Sequence, residues 1–397
     1  MKKSWEYKTL GEVAKICGGK RLPKGCKLQS EPTKHKYIRV ADFLDNGTVC
    51  KDDIQYISDD IFNQIKRYTI SSADVYISIA GTIGKSGIVP DELNGANLTE
   101  NACKLVLNKE LDKRFVYLVT ISPFFKEQIN TLTKKSAQPK LALTRLATVN
   151  VPVPPLSEQK EIVEYLDSSF AKIDKLKENV AKNLEEAKAL FQSALKDALE
   201  PKEGWEEKTL KELTNKISDG SHNPPTGLSY SEYRMLSSKN VRNDNFSFDN
   251  PRYLSEDDFQ KENKRTQLEK GDVLLTIVGA GLGDCCVYNF DDVIVFQRSV
   301  SVLKPNYDKI TSRFLMYSMQ FRYDDIRKKS NGAAQKGIYL KQLAAYSLKL
   351  PSIKEQQSIV SFLDSLNEKV NTLQQNYSRI CNECDALKQA ILRQVFE

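Results

Sequence analysis

The chain has 397 residues, of which 40% are hydrophobic and 28% are charged, and its formal net charge is +7. This length exceeds one typical domain, so we expect two or three. There is no apolar run of the ~18 residues that a membrane helix needs, and the first residues, M-K-K-S-W-E-Y-K, lack the apolar core of a signal peptide. Eight cysteines, mostly scattered, indicate reduced thiols and a cytoplasmic protein.

The charge is spread unevenly along the chain. Residues 1–155 carry 24 Lys and Arg against 16 Asp and Glu, and residues 201–352 carry 23 against 20. Residues 156–200 carry 7 against 10, and residues 353–397 carry 5 against 6. Two basic blocks that alternate with two mildly acidic segments suit two polyanion-binding modules joined by segments with another task. On charge alone, a basic block is equally consistent with a solvated surface.

The chain contains two copies of one sequence segment, as five collinear matches show. They pair W-E-Y-K-T-L-G-E-V from Trp5 with W-E-E-K-T-L-K-E-L from Trp205, Y-I-S-D-D from Tyr56 with Y-L-S-E-D from Tyr253, A-D-V-Y-I-S-I-A-G from Ala73 with G-D-V-L-L-T-I-V-G from Gly271, A-Q-P-K-L-A-L-T-R-L-A from Ala137 with A-Q-K-G-I-Y-L-K-Q-L-A from Ala334, and P-P-L-S-E-Q-K-E-I-V-E-Y-L-D from Pro154 with P-S-I-K-E-Q-Q-S-I-V-S-F-L-D from Pro351. The offsets lie between 197 and 200 residues. Such regularity indicates a tandem duplication.

Each half begins with about 150 residues of short strands and helices. The runs D-V-Y-I-S-I from Asp74 and D-V-L-L-T-I from Asp272 predict buried strands that end in glycine turns. We therefore predict an α+β fold class, with a mixed α/β domain in each half, over residues 1–155 and 201–352.

A proline-marked break then leads into one long helix in each half, over residues 156–200 and 353–397. Ser157 and Ser352 are the expected N-caps. Each helix of about 44 residues would be roughly 66 Å long. Apolar residues at alternating spacings of three and four form a seam, with Lys177 interrupting the first one. The predicted seam residues are Leu166, Phe170, Ile173, Val180 and Leu184 in the first helix and Ile359, Leu363, Leu366, Val370, Leu373, Ile380 and Leu387 in the second.

Because neither seam can stay exposed, we expect the two helices to pack on each other. The globular half between them makes an antiparallel coiled coil within one chain the simplest arrangement, with internal pseudo-twofold symmetry. The alternative is that the helices pair with a second copy of the chain.

The stretch I-A-G-T-I-G-K-S, from Ile79 to Ser86, ends like a nucleotide-binding P-loop. A P-loop needs a glycine five residues before Gly84, where Ile79 stands, so this loop is two residues too short. In the duplicate, V-G-A-G-L-G-D-C-C, Asp284 takes the place of Lys85 if one residue is inserted. Both observations argue against ATP binding.

Other catalytic signals are equally incomplete. N-P-P-T from Asn223 resembles the signature of amino-methyltransferases, but Thr226 stands where their aromatic residue stacks on the flipped base. Cys381 and Cys384 lie within the second long helix, without the second pair that a zinc site needs. The chain has only two histidines. We therefore expect no catalysis, no metal and no cofactor.

What remains is binding, and the loops of both halves combine basic, amide, glycine and proline residues. Lys and Arg would neutralise DNA phosphates, while Arg, Asn and Ser would contact base edges. The predicted DNA contacts are Lys20, Arg21, Lys24, Lys85, Ser86, Lys135 and Lys140 in the first half and Ser221, His222, Asn223, Arg298, Lys329 and Lys336 in the second.

These motifs together resemble one family, the specificity subunits of type I restriction–modification enzymes. The resemblance rests on the repeated tryptophan motif, on the strand–glycine elements, on F-Q-R from Phe296 and on I-S-D-G-S-H from Ile217. It rests most of all on V-P-V-P-P-L-S-E-Q from Val151 and L-K-L-P-S-I-K-E-Q from Leu348, each of which opens a long helix. The second copy departs from the first at Ser352 and Lys354, which should only soften the turn.

The resemblance implies a non-catalytic reader of double-stranded DNA, with one half-site per recognition domain and the helices as a ruler. It also implies docking of two methyltransferase subunits, which bring S-adenosylmethionine, and of restriction motor-nuclease subunits, which bring ATP hydrolysis. Because the two halves differ outside the shared motifs, we predict an asymmetric bipartite target. The alternatives are a single-chain P-loop ATPase or DNA methyltransferase, and a coiled-coil scaffold that binds no DNA.

Overall fold

The computed structural model describes residues 5–133, 140–322 and 337–397. The chain forms two compact units: unit 1 comprises Met1–Ala181 and Tyr377–Glu397, and unit 2 comprises Lys182–Asn376. Each unit therefore combines one globular half with one end of each long helix. Among the described residues, no helix is long and apolar enough to cross a membrane.

The described residues of unit 1 form three small sheets. Its strands are β1 (Tyr7–Thr9), β2 (Ala14–Gly18), β3 (His35–Ile38), β4 (Gln55–Ile57), β5 (Val75–Ser78), β6 (Ser86–Ile88), β7 (Asn97–Leu98), β8 (Ala102–Leu107) and β9 (Asn150–Pro152). Its short helices are α1 (Leu10–Val13), α2 (Asp59–Ile65), α3 (Lys113–Ile121), α4 (Pro123–Thr133) and α5 (Leu143–Leu146). The sheet orders are β2-β8-β5-β6, β4-β3-β7 and β1-β9. The main core lies between the first sheet and α3, where Phe115 is fully buried beside Val75 and Leu105.

Unit 2 repeats this plan. Its strands are β10 (Glu206–Thr209), β11 (Thr214–Asp219), β12 (Arg234–Leu236), β13 (Val241–Arg242), β14 (Asn245–Phe246), β15 (Arg252–Tyr253), β16 (Val273–Thr276), β17 (Cys285–Val287), β18 (Val295–Phe296), β19 (Val300–Pro305) and β20 (Ser347–Leu350). Its short helices are α7 (Leu210–Leu213), α8 (Glu256–Thr266), α9 (Ser312–Phe321) and α10 (Leu340–Ala344). The sheet orders are β11-β19-β16-β17, β15-β12-β18, β10-β20 and the hairpin β13-β14.

The strand orders confirm the duplication. The four-stranded sheets correspond strand by strand, and in each three-stranded sheet one pair is parallel and one antiparallel. The predicted strands β5 and β16 are confirmed, and all four residues of each are buried. An uninterrupted buried run is expected for an internal strand with both faces covered.

The two long helices run over Leu156–Leu199, here α6, and Ile353–Phe396, here α11. Ser352 lies just before α11, and its hydroxyl accepts a hydrogen bond from the Glu355 amide at 3.4 Å, as the capping prediction requires. The prediction for Ser157 is wrong, because α6 already begins at Leu156. The proline that precedes Leu156 has no amide hydrogen to lose, so the helix can start directly after it.

The helices pair antiparallel with each other in each unit, which favours pairing within the chain. In unit 1, Lys177 of α6 contacts Asp385 of α11 at 2.9 Å, and Asp174 contacts Lys388 at 2.5 Å. Later residues of one helix thus meet earlier residues of the other. In unit 2, Phe191, Leu195 and Leu199 of α6 share a buried cluster with Leu363 of α11.

The predicted seam is correct in part. Four of its members are buried, namely Leu166, Ile173, Leu184 and Leu363. Six are partly buried, namely Phe170, Val180, Ile359, Leu366, Val370 and Ile380. Leu373 and Leu387 are wrong, because they are 42% and 50% exposed.

The cause is the drift of an α-helix relative to a seven-residue repeat. A straight helix turns by ~20° per heptad away from a strict heptad seam. Between Leu363 and Leu387 this amounts to about 70°, enough to rotate Leu387 out of the interface. Leu392 and Phe396 are buried in unit 1 instead.

Candidate nucleic-acid interface

Three loops of unit 1 leave the same end of its four-stranded sheet. Gly18 at the end of β2 pairs with Cys103 at the start of β8, and Ser78 at the end of β5 pairs with Ala102. The segments 19–24, 79–85 and 98–101 therefore emerge side by side. We call this end of the sheet the loop edge of unit 1.

Backbone hydrogen bonds hold the first of these segments against the third. The Gly19 amide donates to Ala102 O at 2.9 Å, and the Lys20 amide donates to Leu98 O at 2.8 Å. A Cβ atom at Gly19 would overlap the carbonyl oxygens of Leu98 and Thr99, so only glycine permits this approach. These contacts therefore hold the start of the loop at residues 19–24 in one position.

The predicted contacts Lys20, Arg21 and Lys24 are all exposed on this loop. The Lys20 ammonium lies 5.6 Å from the centre of the Tyr68 ring, and the Arg21 guanidinium contacts Glu100 at 2.7 Å. The Arg21 side chain is more than three-quarters exposed, so this ion pair is weak and can exchange for a phosphate.

The turn between β5 and β6 does not have the geometry of a phosphate-binding loop. The Gly84 amide donates to Ser78 O at 2.9 Å, and the Lys85 amide donates to Ser78 Oγ at 2.9 Å. The Ile83 amide donates to Gly81 O at 3.0 Å. A phosphate cradle needs such amides to point outward together, so the turn supports the prediction against ATP.

Lys85 and Ser86, although adjacent, have different environments. The Lys85 ammonium contacts Asp45 at 2.7 Å, at the surface. Ser86 is only 4% exposed, and its hydroxyl hydrogen-bonds to Thr120 Oγ1 at 2.8 Å inside the domain. The prediction of Ser86 as a surface contact therefore does not fit the structure, because α3 covers it. Lys140 is exposed and pairs with Ala80, which places it at the loop edge, whereas Lys135 lies outside the described residues.

Unit 2 builds its loop edge in the same way, from the segments 220–226, 277–284 and 297–299. The Ser221 amide donates to Phe296 O at 2.7 Å, and the Arg298 amide donates to Ser221 O at 2.8 Å. A Cβ atom at Gly220 would overlap Phe296 O, as at Gly19. The second turn also matches, because Asp284 O accepts from the Thr276 amide at 2.8 Å as Lys85 O accepts from Ser78 in unit 1. The expected equivalence of Asp284 and Lys85 is confirmed.

Of the contacts predicted in unit 2, His222, Asn223 and Arg298 are exposed at the loop edge. Ser221 is only 2% exposed, so its side chain is covered and this prediction does not fit the structure. Lys329 and Lys336 lie outside the described residues.

One cation at the loop edge of unit 2 was missed. Asp219, at the end of β11, accepts from His222 Nε2 at 2.7 Å and from the Arg265 guanidinium at 3.0 Å. Arg265 lies in the last turn of α8, and its side chain reaches Asp219 at the loop edge although the two residues are 46 positions apart in sequence. The sequence repeat contained a sign of this residue, because the dipeptide Lys264-Arg265 also occurs 198 residues earlier as Lys66-Arg67.

The loop edges carry cations and amides at the surface, with buried thiols in the sheets behind them. Among the described residues, no group of three or more His, Cys, Asp or Glu side chains could hold a metal ion. Burial raises the pKa of Cys286 and of Cys103 to about 12, so these thiols stay protonated and unreactive near neutral pH. The loop edges therefore present exposed cations and amides on loops whose first residues are held by backbone hydrogen bonds.

A second surface lies on the long helices. Three pairs of exposed apolar residues recur at an offset of 197: Tyr165 with Phe362, Leu176 with Leu373, and Leu190 with Leu387. Each unit contains one member of every pair. Residues eleven apart, such as Tyr165 and Leu176, lie only about 20° apart around the helix axis, so both face the same side.

Comparison with known proteins gives a consistent result along the whole chain. Residues 2–186 and residues 202–380 each match the family described as Type I restriction modification DNA specificity domain. The specificity subunit of the type I restriction enzyme StySPI from Salmonella potsdam is 23% identical over 416 residues, which cover 99% of this chain and 88% of that protein. The specificity subunit of the enzyme MjaVIII from Methanocaldococcus jannaschii is 24% identical over 211 residues, 49% of this chain. That match spans 48%, about half, of the relative's length.

A solved structure supports the fold. A chain from a study of complex assembly and conformational transition of the type I R-M system superposes with a TM-score of 0.76 at 20% identity. The match covers 99% of this chain and 97% of the other. At this identity the likeness concerns the architecture.

Proposed function

The chain belongs to the family of type I restriction modification DNA specificity domains, and on that premise we propose that it reads a bipartite DNA target without catalysing a reaction itself. Each unit reads one half-site through its loop edge. The observation that carries the proposal is that one backbone framework, with the same close glycine approach, is built twice and presents different side chains each time. We propose that the chain reads DNA in the cytoplasm.

The target should be asymmetric, because the two loop edges differ in chemistry. Where unit 1 has Arg21 and Glu100, unit 2 has His222 and Arg298. Side chains with different donors and acceptors select different base edges. Selection of bound fragments from random DNA tests this, and a palindromic product would contradict it. Methylome sequencing of the source strain with and without the gene gives the target itself.

The proposed contacts are the cations and polar side chains at the surface of the two loop edges, and the described ones are all exposed except the partly buried Lys85. They are Lys20, Arg21, Lys24, Lys85 and Lys140 in unit 1 and His222, Asn223, Arg265 and Arg298 in unit 2, with Lys135, Lys329 and Lys336 retained from the sequence. Lys and Arg act on phosphates and so on affinity for any DNA, and Arg, Asn and His also contribute to base selection.

The long helices provide the proposed docking surfaces for methyltransferase subunits. Exposed Tyr165, Leu176 and Leu387 in unit 1 correspond to Phe362, Leu373 and Leu190 in unit 2. Two copies of one apolar surface imply two methyltransferase subunits, which supply S-adenosylmethionine. Restriction motor-nuclease subunits, which hydrolyse ATP, join through the assembled complex.

Native mass spectrometry of the co-purified complex tests the number of subunits. The wild-type chain should carry two methyltransferase subunits, and Tyr165→Ser or Phe362→Ser alone should leave one. The double variant should carry none, whereas Tyr307→Ser, which removes an exposed tyrosine outside the long helices, should keep two. Two bound subunits on the double variant would exclude this surface.

Two rival functions are tested directly. A P-loop ATPase or a methyltransferase would bind radiolabelled ATP or S-adenosylmethionine as an isolated chain, and we expect neither. A coiled-coil scaffold would assemble with methyltransferase subunits but would not shift genomic fragments in a gel.

A further inference from the structure

Each globular half meets a long helix through three polar contacts that recur in both units. In unit 1, Trp5 Nε1 donates to Glu158 at 3.1 Å, Gln159 bonds the backbone that follows β8, and Arg114 contacts Asp167 at 2.6 Å. In unit 2, Trp205 Nε1 donates to Glu355 at 3.4 Å, Gln356 bonds the backbone that follows β19, and Arg313 Nε donates to Asp364 at 3.0 Å. We call each set a joint.

A fully buried glutamine lies at the centre of each joint. Gln159 Oε1 accepts from the Asp112 amide, and Gln159 Nε2 donates to Glu110 O and Pro154 O, all at 2.8 Å. Gln356 repeats the pattern: it accepts from the Thr311 amide at 3.1 Å and donates to Lys309 O at 2.9 Å and Pro351 O at 3.1 Å. Both side chains are 0% exposed. A buried amide with its donors and acceptor satisfied holds one orientation, because breaking any bond leaves an unpaired group.

The joint connects directly to the loop edge through a single strand. In unit 1, β8 starts beside Glu100 at the loop edge and ends just before the segment that Gln159 holds. In unit 2, β19 runs in the same way from Arg298 towards the segment held by Gln356. Six residues of strand span about 20 Å, and each strand is the second of four in its sheet. A tilt at the joint is therefore transmitted to the loop edge instead of being absorbed by a flexible connection.

The three contacts of a joint involve the long helix at two levels along its axis. The tryptophan and the glutamine bond at the first turn, and the arginine bonds two turns further along, at Asp167 or Asp364. Contacts spaced along the axis prevent the domain from pivoting about a single bond. Each globular half is thus fixed in angle as well as in place on its helix.

We propose that Gln159 and Gln356 are positioning residues for the spacing of the two half-sites. They hold each loop edge at one angle to its long helix, so that only one gap length between the half-sites is accepted. Adding one base pair moves the second half-site by about 3.4 Å and rotates it by about 35° around the DNA axis. A rigid joint cannot follow this displacement, so the complex binds DNA with the wrong gap more weakly. The inference rests on the proposed function and adds to it the residues that enforce the gap.

The experiment uses the full chain assembled with its methyltransferase subunits. Binding is measured on DNA with the natural gap, with the gap shortened or lengthened by one base pair, and with one mismatched base pair in a half-site. The variants are Gln159→Met and Gln356→Met, which keep the side-chain length and remove the hydrogen bonds. Gln375→Met, at an exposed position of α11, is the matched control.

We expect wild type and the control to lose about tenfold or more in affinity for either wrong gap, similar to a mismatch in a half-site. The two joint variants should lose less than about threefold for a wrong gap and keep the full mismatch penalty. A purely structural role would weaken both penalties together, and that result would overturn the proposal. An unchanged gap penalty in both variants would overturn it as well.

Two further results keep the test decisive. If a methionine variant does not fold, Arg114→Gln, at a partly exposed ion pair of the same joint, must relax the gap penalty, and a wild-type penalty there refutes the proposal. If the wild-type complex binds no bipartite DNA, the proposed function itself fails, and this is seen before any variant is compared.

Discussion

The loop edges of the two units share a backbone and differ in charge. Gly19 and Gly220 each bring a loop against the equivalent carbonyl oxygens of its own unit, and the equivalent turns make matching hydrogen bonds. On this common framework, Lys85 in unit 1 is replaced by Asp284 in unit 2. The comparison shows how one backbone framework presents two different sets of side chains, because backbone contacts fix where the loops emerge and leave the side chains free to differ.

The joints show a smaller difference of the same kind. Arg114 of unit 1 bonds one carboxylate, Asp167, whereas Arg313 of unit 2 bonds Asp364, Asp244 and the Tyr317 hydroxyl. The Asn367 amide also donates to Asp244. At this arginine contact, a network connects the globular half of unit 2 to α11, whereas one ion pair connects the globular half of unit 1 to α6. Equivalent substitutions should therefore have unequal effects.

The largest expected effect comes from a substitution that breaks this network. Arg313→Ala leaves Asp244 and Asp364 close together without their cation, which should lower the free energy of unfolding of unit 2 by about 3 kcal/mol. Arg114→Ala removes an ion pair whose side chains are about 40% exposed and should cost less than about 1 kcal/mol. Urea denaturation of the full chain measures both. Equal losses would mean that the extra partners of Arg313 contribute nothing.

The next effect tests the charge of the first loop edge. Replacing Lys20, Arg21 and Lys24 by Ala should lower DNA affinity on the order of 100-fold near 0.1 M salt and reduce the salt slope by ~3, because each phosphate contact releases counterions. The equivalent double variant in unit 2, His222→Ala with Asn223→Ala, should change base preference and leave the slope nearly unchanged.

Lys109→Ala is the matched control for the triple variant, since Lys109 is exposed just beyond the far end of β8. It should bind DNA like wild type. Wild-type affinity of the triple variant in fluorescence titration would remove this loop from the interface.

Much of the fold could be predicted from the sequence, because each local pattern occurs in both copies of the repeat and each copy supports the interpretation of the other. Two copies of a buried run predicted β5 and β16, and two proline breaks placed the starts of both long helices. The repeat also predicted that Asp284 corresponds to Lys85, which the hydrogen bonds of the two turns confirm. These features depend on residues that are close together in sequence.

What could not be predicted depends on distant packing. Ser86 is covered by α3 through Thr120, and Arg265 reaches the loop edge through Asp219; in both cases the partner is more than 30 residues away. Leu387 leaves the seam because helical drift accumulates over several heptads. A local pattern contains no information on which neighbour will cover a side chain.

A smaller effect sharpens the contrast at the one position where the turns differ in charge. Lys85→Ala should lower DNA affinity up to about tenfold and reduce the salt slope by ~1, since it removes one candidate phosphate contact. Asp284→Ala removes a negative charge from the equivalent turn, so it should bind as wild type does or about twofold more tightly. Parallel titrations at several salt concentrations decide this. Losses of the same size in both variants would show that the turns act through their shape instead of their charge.

The smallest effect concerns the neighbour of Lys85. Ser86→Ala should change DNA affinity by less than about twofold, because its hydroxyl faces Thr120 inside the domain. Thr120 keeps its hydrogen bond to Tyr117 O at 2.7 Å, so the loss of stability should be only about 1 kcal/mol. The same titration and urea denaturation measure both quantities. A loss of affinity as large as that of Lys85→Ala would mean that the turn opens on DNA and exposes Ser86, and the fixed framework inferred from the two loop edges would then hold only in the absence of DNA.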